Sequence, residues 1–207
     1  MSDTKEKILM TALRLFAQNG YEATSVSAIA EVLSMTKGAL YRHYQNKREI
    51  FDAIVKRMVE QDQESAKQNE VPEATFEESP SAYRGVTLTQ VKNFTLDQFR
   101  FWSEDEFGRN FRKMVILEQY RDPEIADWHQ KIFTNGPVGY VEDLFREMMA
   151  QGELHKGDPR LLALRYFAPF YLLLGMADAP AGSDRAIDLL TKHIDDFIKN
   201  NTETKEI

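Results

Sequence analysis

The chain is predicted to be all-α, and three observations carry that prediction. Apolar residues recur at helical spacing along most of its 207 residues. Helix starts and stops punctuate the recurrence, among them Asn19-Gly20, Asp122-Pro123, Gln151-Gly152 and Asp158-Pro159. Between Thr24 and Lys47 two short helical patterns flank the turn Leu33-Ser34-Met35, the layout of a helix-turn-helix. The expected architecture is an N-terminal three-helix helix-turn-helix domain, residues 1–60 with the first part of a connecting helix, followed by a larger helical domain, residues 61–207.

Asp3 and Glu6 have capping-box spacing and open the first helix, whose apolar side is Ile8, Leu9, Ala12, Leu13, Leu15 and Phe16. Asn19-Gly20 stops it, since glycine takes the left-handed conformation that a helix C-terminus favours. Val26, Ile29, Ala30 and Leu33 lie on one face of the second helix, with Thr24 or Ser25 as its N-cap. Thr36 caps the third, Lys37 to Tyr44. Its narrow apolar edge is Leu40 and Tyr44, and Lys37, Gly38, Tyr41 and Arg42 face outward. Asn46 and Glu49 repeat the capping spacing and start a longer fourth helix, with Ile50, Phe51, Ile54, Val55, Met58 and Val59 on one side.

Gln61 to Ser81 is polar, contains Pro72 and Pro80, and reads as the end of the fourth helix followed by a loop. Helical patterns resume at Thr87 to Trp102 and Glu106 to Tyr120, then after Asp122-Pro123 through Ile125, Trp128, Ile132 and Phe133. Gly136-Pro137 is expected to break the chain before a helix from Val138 to Met149. The helix after Asp158-Pro159, LLALRYFAPFYLLLGMA, is apolar on nearly every side, so it should be buried almost all round and kinked at Pro169. The last helix spaces Ile187, Leu190, Ile194 and Phe197 as a coiled-coil-like seam.

From Ser34 through Arg48 there is no acidic residue, while Lys37, Arg42, Lys47 and Arg48 are basic and His43 can be. Phosphate contacts supply most nucleic-acid affinity and donors near base edges supply sequence preference, so this outward, donor-rich helix reads as a DNA-contacting element. Gly38 costs a helix about 1 kcal/mol against alanine, which is rationalised if the backbone must approach another surface there. The first turn of the fourth helix presents amides beside Lys47, an anion site suited to a phosphate. Charge is divided accordingly. Residues 1–60 carry nine Lys/Arg against seven Asp/Glu and the rest 17 against 26, a basic head on an acidic body that repels phosphate.

The run GYEATSVSAIAEVLSMTKGALYRHYQNKREIF resembles the N-terminal domain of the TetR family of bacterial transcriptional regulators, densely over about residues 5 to 58. The matching elements are Gly20-Tyr21, Thr24-Ser25, Ile29-Ala30, Lys37-Gly38, Leu40-Tyr41, His43-Tyr44 and Lys47. The family usually has glycine where this chain has Ser34, and valine and serine where it has Met35 and Thr36. A serine there implies strain if the position needs positive φ. The resemblance implies DNA contacts at Thr24 or Ser25, Thr36, Lys37, Gly38, Tyr41, His43 and Lys47, with Arg42 beside them on the outward face. In that scheme Tyr41, His43 and Lys47 bind phosphates, and Lys37 and its neighbours reach bases. The resemblance further implies a double-stranded DNA operator, a homodimer through the last two helices and a small effector between the middle ones.

Helix-turn-helix readers usually need two-fold symmetry to address two half-sites. The expected dimer interface is Leu162, Tyr166, Phe170 and Leu173 with Ile187, Leu190, Ile194 and Phe197, against the alternative of one large intramolecular core. Charge reversal at Ile194 is then expected to yield monomers. The middle helices are rich in aromatics and methionines, which suits a largely apolar ligand site. Its candidate residues are Phe94, Gln98, Trp102, Phe111, Met114, Glu118, Tyr140 and Phe170, with Gln98 or Glu118 as polar anchors. The function expected is a ligand-responsive transcriptional regulator, a repressor released from a palindromic operator by a small, largely apolar effector.

The chain has no cysteine, which suits a reducing cytoplasm. Met1 to Lys7 is polar and charged, unlike a secretory signal. Leu161 to Ala177 is the most apolar window but contains Arg165 and Pro169 and is short for a bilayer, so no membrane partner is expected. An enzyme is disfavoured, and no catalytic residue, metal or cofactor is expected. No glycine-rich phosphate loop or serine nucleophile elbow is present, and His43, His129, His155 and His193 are far apart. A helical protein-interaction scaffold without DNA binding is the other alternative. It would leave the Lys37–Arg48 face dispensable, and the acid-free run argues against it.

Overall fold

The structure is a computed structural model and describes residues 3–202; Met1 and Ser2, the start of the polar N-terminal stretch, lie outside the described residues. Ten α-helices are present among the described residues: α1 (Asp3–Asn19), α2 (Val26–Val32), α3 (Lys37–Tyr41), α4 (Lys47–Gln68), α5 (Leu88–Ser103), α6 (Glu106–Glu118), α7 (Pro123–Phe133), α8 (Asn135–Gln151), α9 (Pro159–Ala177) and α10 (Gly182–Asn201). A 3-10 turn at Pro80–Tyr83 lies in the α4–α5 connection, and no strand occurs among the described residues. The helices form two compact units. One holds the residues up to Asp62 with Asp105–His129; the other holds Gln63–Glu104 and the described residues from Gln130 onward.

In the first unit α1 is the spine. Ile8, Leu9, Ala12, Leu13 and Phe16 are fully buried, and α1 packs on both α2 and α6. Phe107, Phe111 and Met114 of α6 are buried too. Each large side chain so buried contributes about 1.5–3 kcal/mol relative to exposure. Charged pairs line the edges of this packing: Arg14 Nε meets Glu106 Oε1 at 2.5 Å, and Arg57 pairs with Glu6 while its guanidinium lies 4.5 Å over the Phe107 ring. Glu6 thus ties α1 to α4, and Asp3 pairs with Lys7 at 2.6 Å. The first unit thus contains α6 and most of α7 beside the helices of the first sixty residues.

The second unit packs α9 against α8, α10 and α5, with α10 also on α5. Its core is aromatic. Phe145 and Phe197 stack at 5.5 Å, Tyr166 stands edge-on to both, and Phe99 meets Phe170 at 5.3 Å. The buried Tyr166 hydroxyl is satisfied in this cluster, since it lies 2.9 Å from the Thr95 hydroxyl. The α4–α5 strap is tied down by Tyr140, whose hydroxyl donates to the Pro72 carbonyl at 3.0 Å, and by Tyr83, whose hydroxyl donates to Ala74.

Caps set most helix ends as the sequence predicts. Thr87 and Gln90 form a reciprocal capping box, Asp122 accepts from the Glu124 amide at 2.8 Å, Asp158 accepts from Arg160 and Leu161, and Gly152 takes the left-handed conformation at φ 77°. Two ends differ. The third helix stops at Tyr41, three residues before its expected end. The break before α8 falls at Thr134 rather than at Gly136-Pro137. Proline fits the first turn of α8, where its missing N–H would have no partner anyway. Gly136 fits because a Cβ there would overlap the Lys131 carbonyl.

α9 corrects one expectation. It is a single helix that contains Pro169, and it is buried on one side only. Leu162, Tyr166, Phe170 and Leu173 face the chain's own helices, as do Leu190, Ile194 and Phe197 of α10, with Ile187 half-buried. These are the residues expected at the dimer interface. They form the intramolecular core instead, because α5, α8 and α10 close over that side. The outward apolar face of α9 is Leu161, Leu164, Tyr171, Leu172 and Met176, with Leu189 exposed on α10; Leu172 is 67% exposed. By length and composition α9 is long and apolar enough to cross a membrane. Its packed side is that of a core helix, while Arg160 is half-buried and Arg165 exposed.

Candidate nucleic-acid interface

The α2–α3 turn is built by its backbone. The Met35 amide donates to Ala30 O and the Ser34 amide to Glu31 O, both at 3.0 Å, the pair of bonds that closes a Schellman C-terminus. Ser34 sits at its left-handed position, φ 53°. Ser25 caps α2 by accepting from the Ala28 amide, and Thr36 caps α3 by accepting from the Ala39 amide, each at 3.1 Å. Leu40 and Tyr44 are buried and hold α3 to the unit. The rest of α3 is turned out: Thr36, Lys37, Gly38, Tyr41 and Arg42 are exposed and His43 is half-buried. The Lys37 ammonium lies 5.7 Å from the centre of the Tyr41 ring. A Cβ built on Gly38 meets no described atom within 4 Å, so the chain's own packing does not require glycine there.

Thr24 is placed differently from its expected role. It is buried, and its hydroxyl donates to the Gly20 carbonyl at 2.8 Å, which commits it to the α1–α2 loop. Ser25 beside it remains exposed. Lys47 clasps the same loop. Its ammonium donates to Tyr21 O at 2.7 Å and Glu22 O at 3.3 Å and lies 4.2 Å over the Tyr21 ring. Tyr21 is wedged edge-on between Phe16 and Phe51, and burial raises its phenol pKa.

Arg48 is missing from the expected contact set; its i,i+4 spacing to Asp52 is local, but nothing local announces its second partner. Its Nη1 and Nη2 donate to Glu124 at 2.8 and 2.5 Å, and its Nε donates to Asp52 at 2.7 Å. These hydrogen bonds, that from Glu124 first, raise the guanidinium's pKa and hold the Glu124 carboxyl below its ordinary value. The basic run of α3 and α4 therefore ends in a neutralised arginine.

The eight residues expected to hold an effector do not fall in one unit. Phe111, Met114 and Glu118 belong to the first; Phe94, Gln98, Trp102, Tyr140 and Phe170 belong to the second. Phe111 and Met114 are fully buried, and the buried Glu118 carboxylate lies against Gly20. In the second unit Trp102 packs on Phe133 and Phe170 on Phe99. Phe94, Gln98 and Tyr140 are half-exposed, with the Phe94 and Tyr140 rings 6.0 Å apart.

Comparisons with known proteins bear on the whole chain. The model for bacterial regulatory proteins of the tetR family matches residues 8–54. An uncharacterized helix-turn-helix transcriptional regulator of Bacillus subtilis, YhgD, is 32% identical over 161 residues, 78% of this chain and 77% of its own. The transcriptional regulator QacR of Staphylococcus aureus is 34% identical over 102 residues, 48% of this chain and 54% of its own. Among solved structures, a complex of SmeT with triclosan superposes with a TM-score of 0.67 at 21% identity, covering 98% of this chain and 93% of that one. SmeT is described as the repressor of the Stenotrophomonas maltophilia multidrug efflux pump SmeDEF. That likeness speaks for the fold alone. With the head matched by the family model and a relative matched over more than three-quarters of both chains, the chain belongs to the TetR family of bacterial transcriptional regulators.

Proposed function

We propose that the protein is a homodimeric repressor that leaves a palindromic operator when a small, largely apolar effector binds. The observation that carries this reading is the outward face of α3. It has no acidic residue, presents exposed Lys37, Tyr41 and Arg42, and carries a glycine that the chain's own packing does not demand. A helix that narrow and rich in donors suits a major groove. In this reading Thr36, Lys37 and Gly38 approach bases, and Ser25, Tyr41, Arg42, His43 and Lys47 hold phosphates. Thr24 supports the loop from inside. DNA binding is assigned to residues 1–60, and effector binding and dimerisation to 61–207.

The outward face of α9 supports the dimer. Leu161, Leu164, Tyr171, Leu172 and Met176 make an apolar surface of the kind that soluble chains cover by association. A symmetric pair would set two α3 helices on half-sites about one helical turn, ~34 Å, apart or at a related spacing. Effector binding is assigned to the second unit, near Phe94, Gln98 and Tyr140. QacR is a transcriptional regulator, and SmeT is a repressor known in complex with triclosan; the latter favours repression relieved by a small molecule, and the protein is assigned to the cytoplasm. An effector that prefers a conformation with misplaced heads lowers operator affinity by its differential binding, typically ~1–3 kcal/mol.

The test is selection of bound duplexes from a random pool. A palindromic winner, protected symmetrically in footprints and bound by two chains, is the expected result. Failure to enrich any sequence, with or without cell extract, would defeat the reading in favour of a helical scaffold.

A further inference from the structure

Arg48 stands in the first turn of α4, one residue after Lys47, with half of its side chain in solvent. It is nevertheless fully engaged by carboxylates. Glu124, in the first turn of α7, takes both terminal nitrogens, and Asp52, one turn along α4, takes Nε. The guanidinium also lies 5.3 Å from the Phe51 ring centre. The planar fork that fits a carboxylate with two parallel hydrogen bonds fits a phosphate equally well. The Glu124 carboxylate thus occupies Arg48 as a DNA phosphate would, on a basic stretch otherwise turned to solvent. Glu124 is itself 46% exposed, so the pair is wet, and an ion pair in such a setting exchanges partners readily.

We propose that Arg48 is a phosphate ligand held in reserve, and that Glu124 competes with the DNA backbone for it. The proposal rests on the DNA-binding reading above and adds a regulator of its strength. Both groups lie in the first compact unit, so the competition is internal to the DNA-binding body. While Glu124 holds Arg48, the head meets DNA with one cation fewer and an acidic group near the phosphate path. When the fork transfers to a phosphate, one more counterion is released, and the gain disappears at high salt. Lys47 differs from Arg48 in this respect: its ammonium donates to the uncharged carbonyls of Tyr21 and Glu22, which leave its charge unneutralised and its third N–H for a phosphate.

The experiment is a salt titration of the full chain on the labelled duplex recovered by selection, comparing wild type with Glu124→Gln, Arg48→Gln and the double variant. Glu124→Gln should bind more tightly and steepen the logarithmic salt dependence by about 0.9 per chain, so its advantage shrinks about threefold between ~50 and ~200 mM salt. Arg48→Gln should change the slope little, and the double variant should lose the gain of Glu124→Gln. Asp52→Asn, which removes the second carboxylate from Arg48, should move affinity in the same direction and stands in if Glu124→Gln fails to fold. An unchanged slope in folded Glu124→Gln, weaker binding by it, or a gain that survives in the double variant would each overturn the proposal while leaving the DNA-binding reading intact. A wild-type chain that binds no duplex would remove both together.

Discussion

Gly20 rests on the carboxylate of Glu118. At φ 89° Gly20 turns the chain from α1 toward α2, and a Cβ there would overlap Glu118 Oε1, which is itself buried. Strain and overlap act together at this one position. Gly20→Ala should therefore destabilise the protein by about 2–4 kcal/mol, combining the left-handed penalty with overpacking. Urea unfolding measures it, and an unchanged midpoint would contradict the packing described. Glu118→Gln keeps the shape and should leave effector response unaltered, since the residue supports the head.

Ser34 carries the opposite expectation. A serine at φ 53° occupies a conformation that costs an L-residue about 1–2 kcal/mol, while glycine's loss of chain entropy is about 0.5–1 kcal/mol. Ser34→Gly should stabilise the chain by up to about 1 kcal/mol, seen as a higher thermal midpoint. A lower midpoint would mean that the serine side chain contributes something the backbone geometry does not reveal.

The two sides of α9 and α10 separate association from folding. Leu172→Glu places a charge on the outward face and should give folded monomers by sedimentation, with unchanged helical circular dichroism. Ile194→Glu places it in a fully buried site and should lower folding stability by several kcal/mol rather than release a folded monomer. A dimer of undiminished stability in Leu172→Glu would move the interface elsewhere.

Acid should loosen the head's unit. Hydrogen bonds from Arg14 and Arg48 hold the carboxyls of Glu106 and Glu124 below their ordinary values. A group depressed in the folded state stabilises the fold above its unfolded pKa, about 4.3 for glutamate, and that contribution fades as pH falls through the folded value. Both pairs are about half exposed, so solvent screening keeps the effect small. Stability should fall less steeply below about pH 4.3 in a Glu106→Gln, Glu124→Gln variant than in wild type. Identical acid profiles in chemical denaturation would show that these contacts carry no linkage.

The head was legible because its signals are local. Caps at Ser25, Thr36 and Asn46, the narrow edge of Leu40 and Tyr44, and the special turn at Ser34 all concern residues within one or two turns of each other. Periodicity also located the later helices. It did not tell which apolar side of α9 the chain itself would cover, because nearly every side offers the same chemistry. Leu162 and Leu161 differ in fate through tertiary packing alone. The roles of Glu118 and Arg48 were hidden for a related reason. Their partners, Gly20 and Glu124, lie far along the sequence, and only the folding of α6 and α7 onto the head brings them together.

The central claim is that α3 reads DNA, and binding by two single variants tests it most directly. On the selected duplex and on scrambled competitors, Tyr41→Ala should weaken binding to all sequences alike, and Lys37→Ala should also narrow the gap between operator and competitor, by about 1–3 kcal/mol if Lys37 reads a base. Wild-type affinity and preference in both folded variants would contradict the account and leave the basic face of this head without a DNA-binding role.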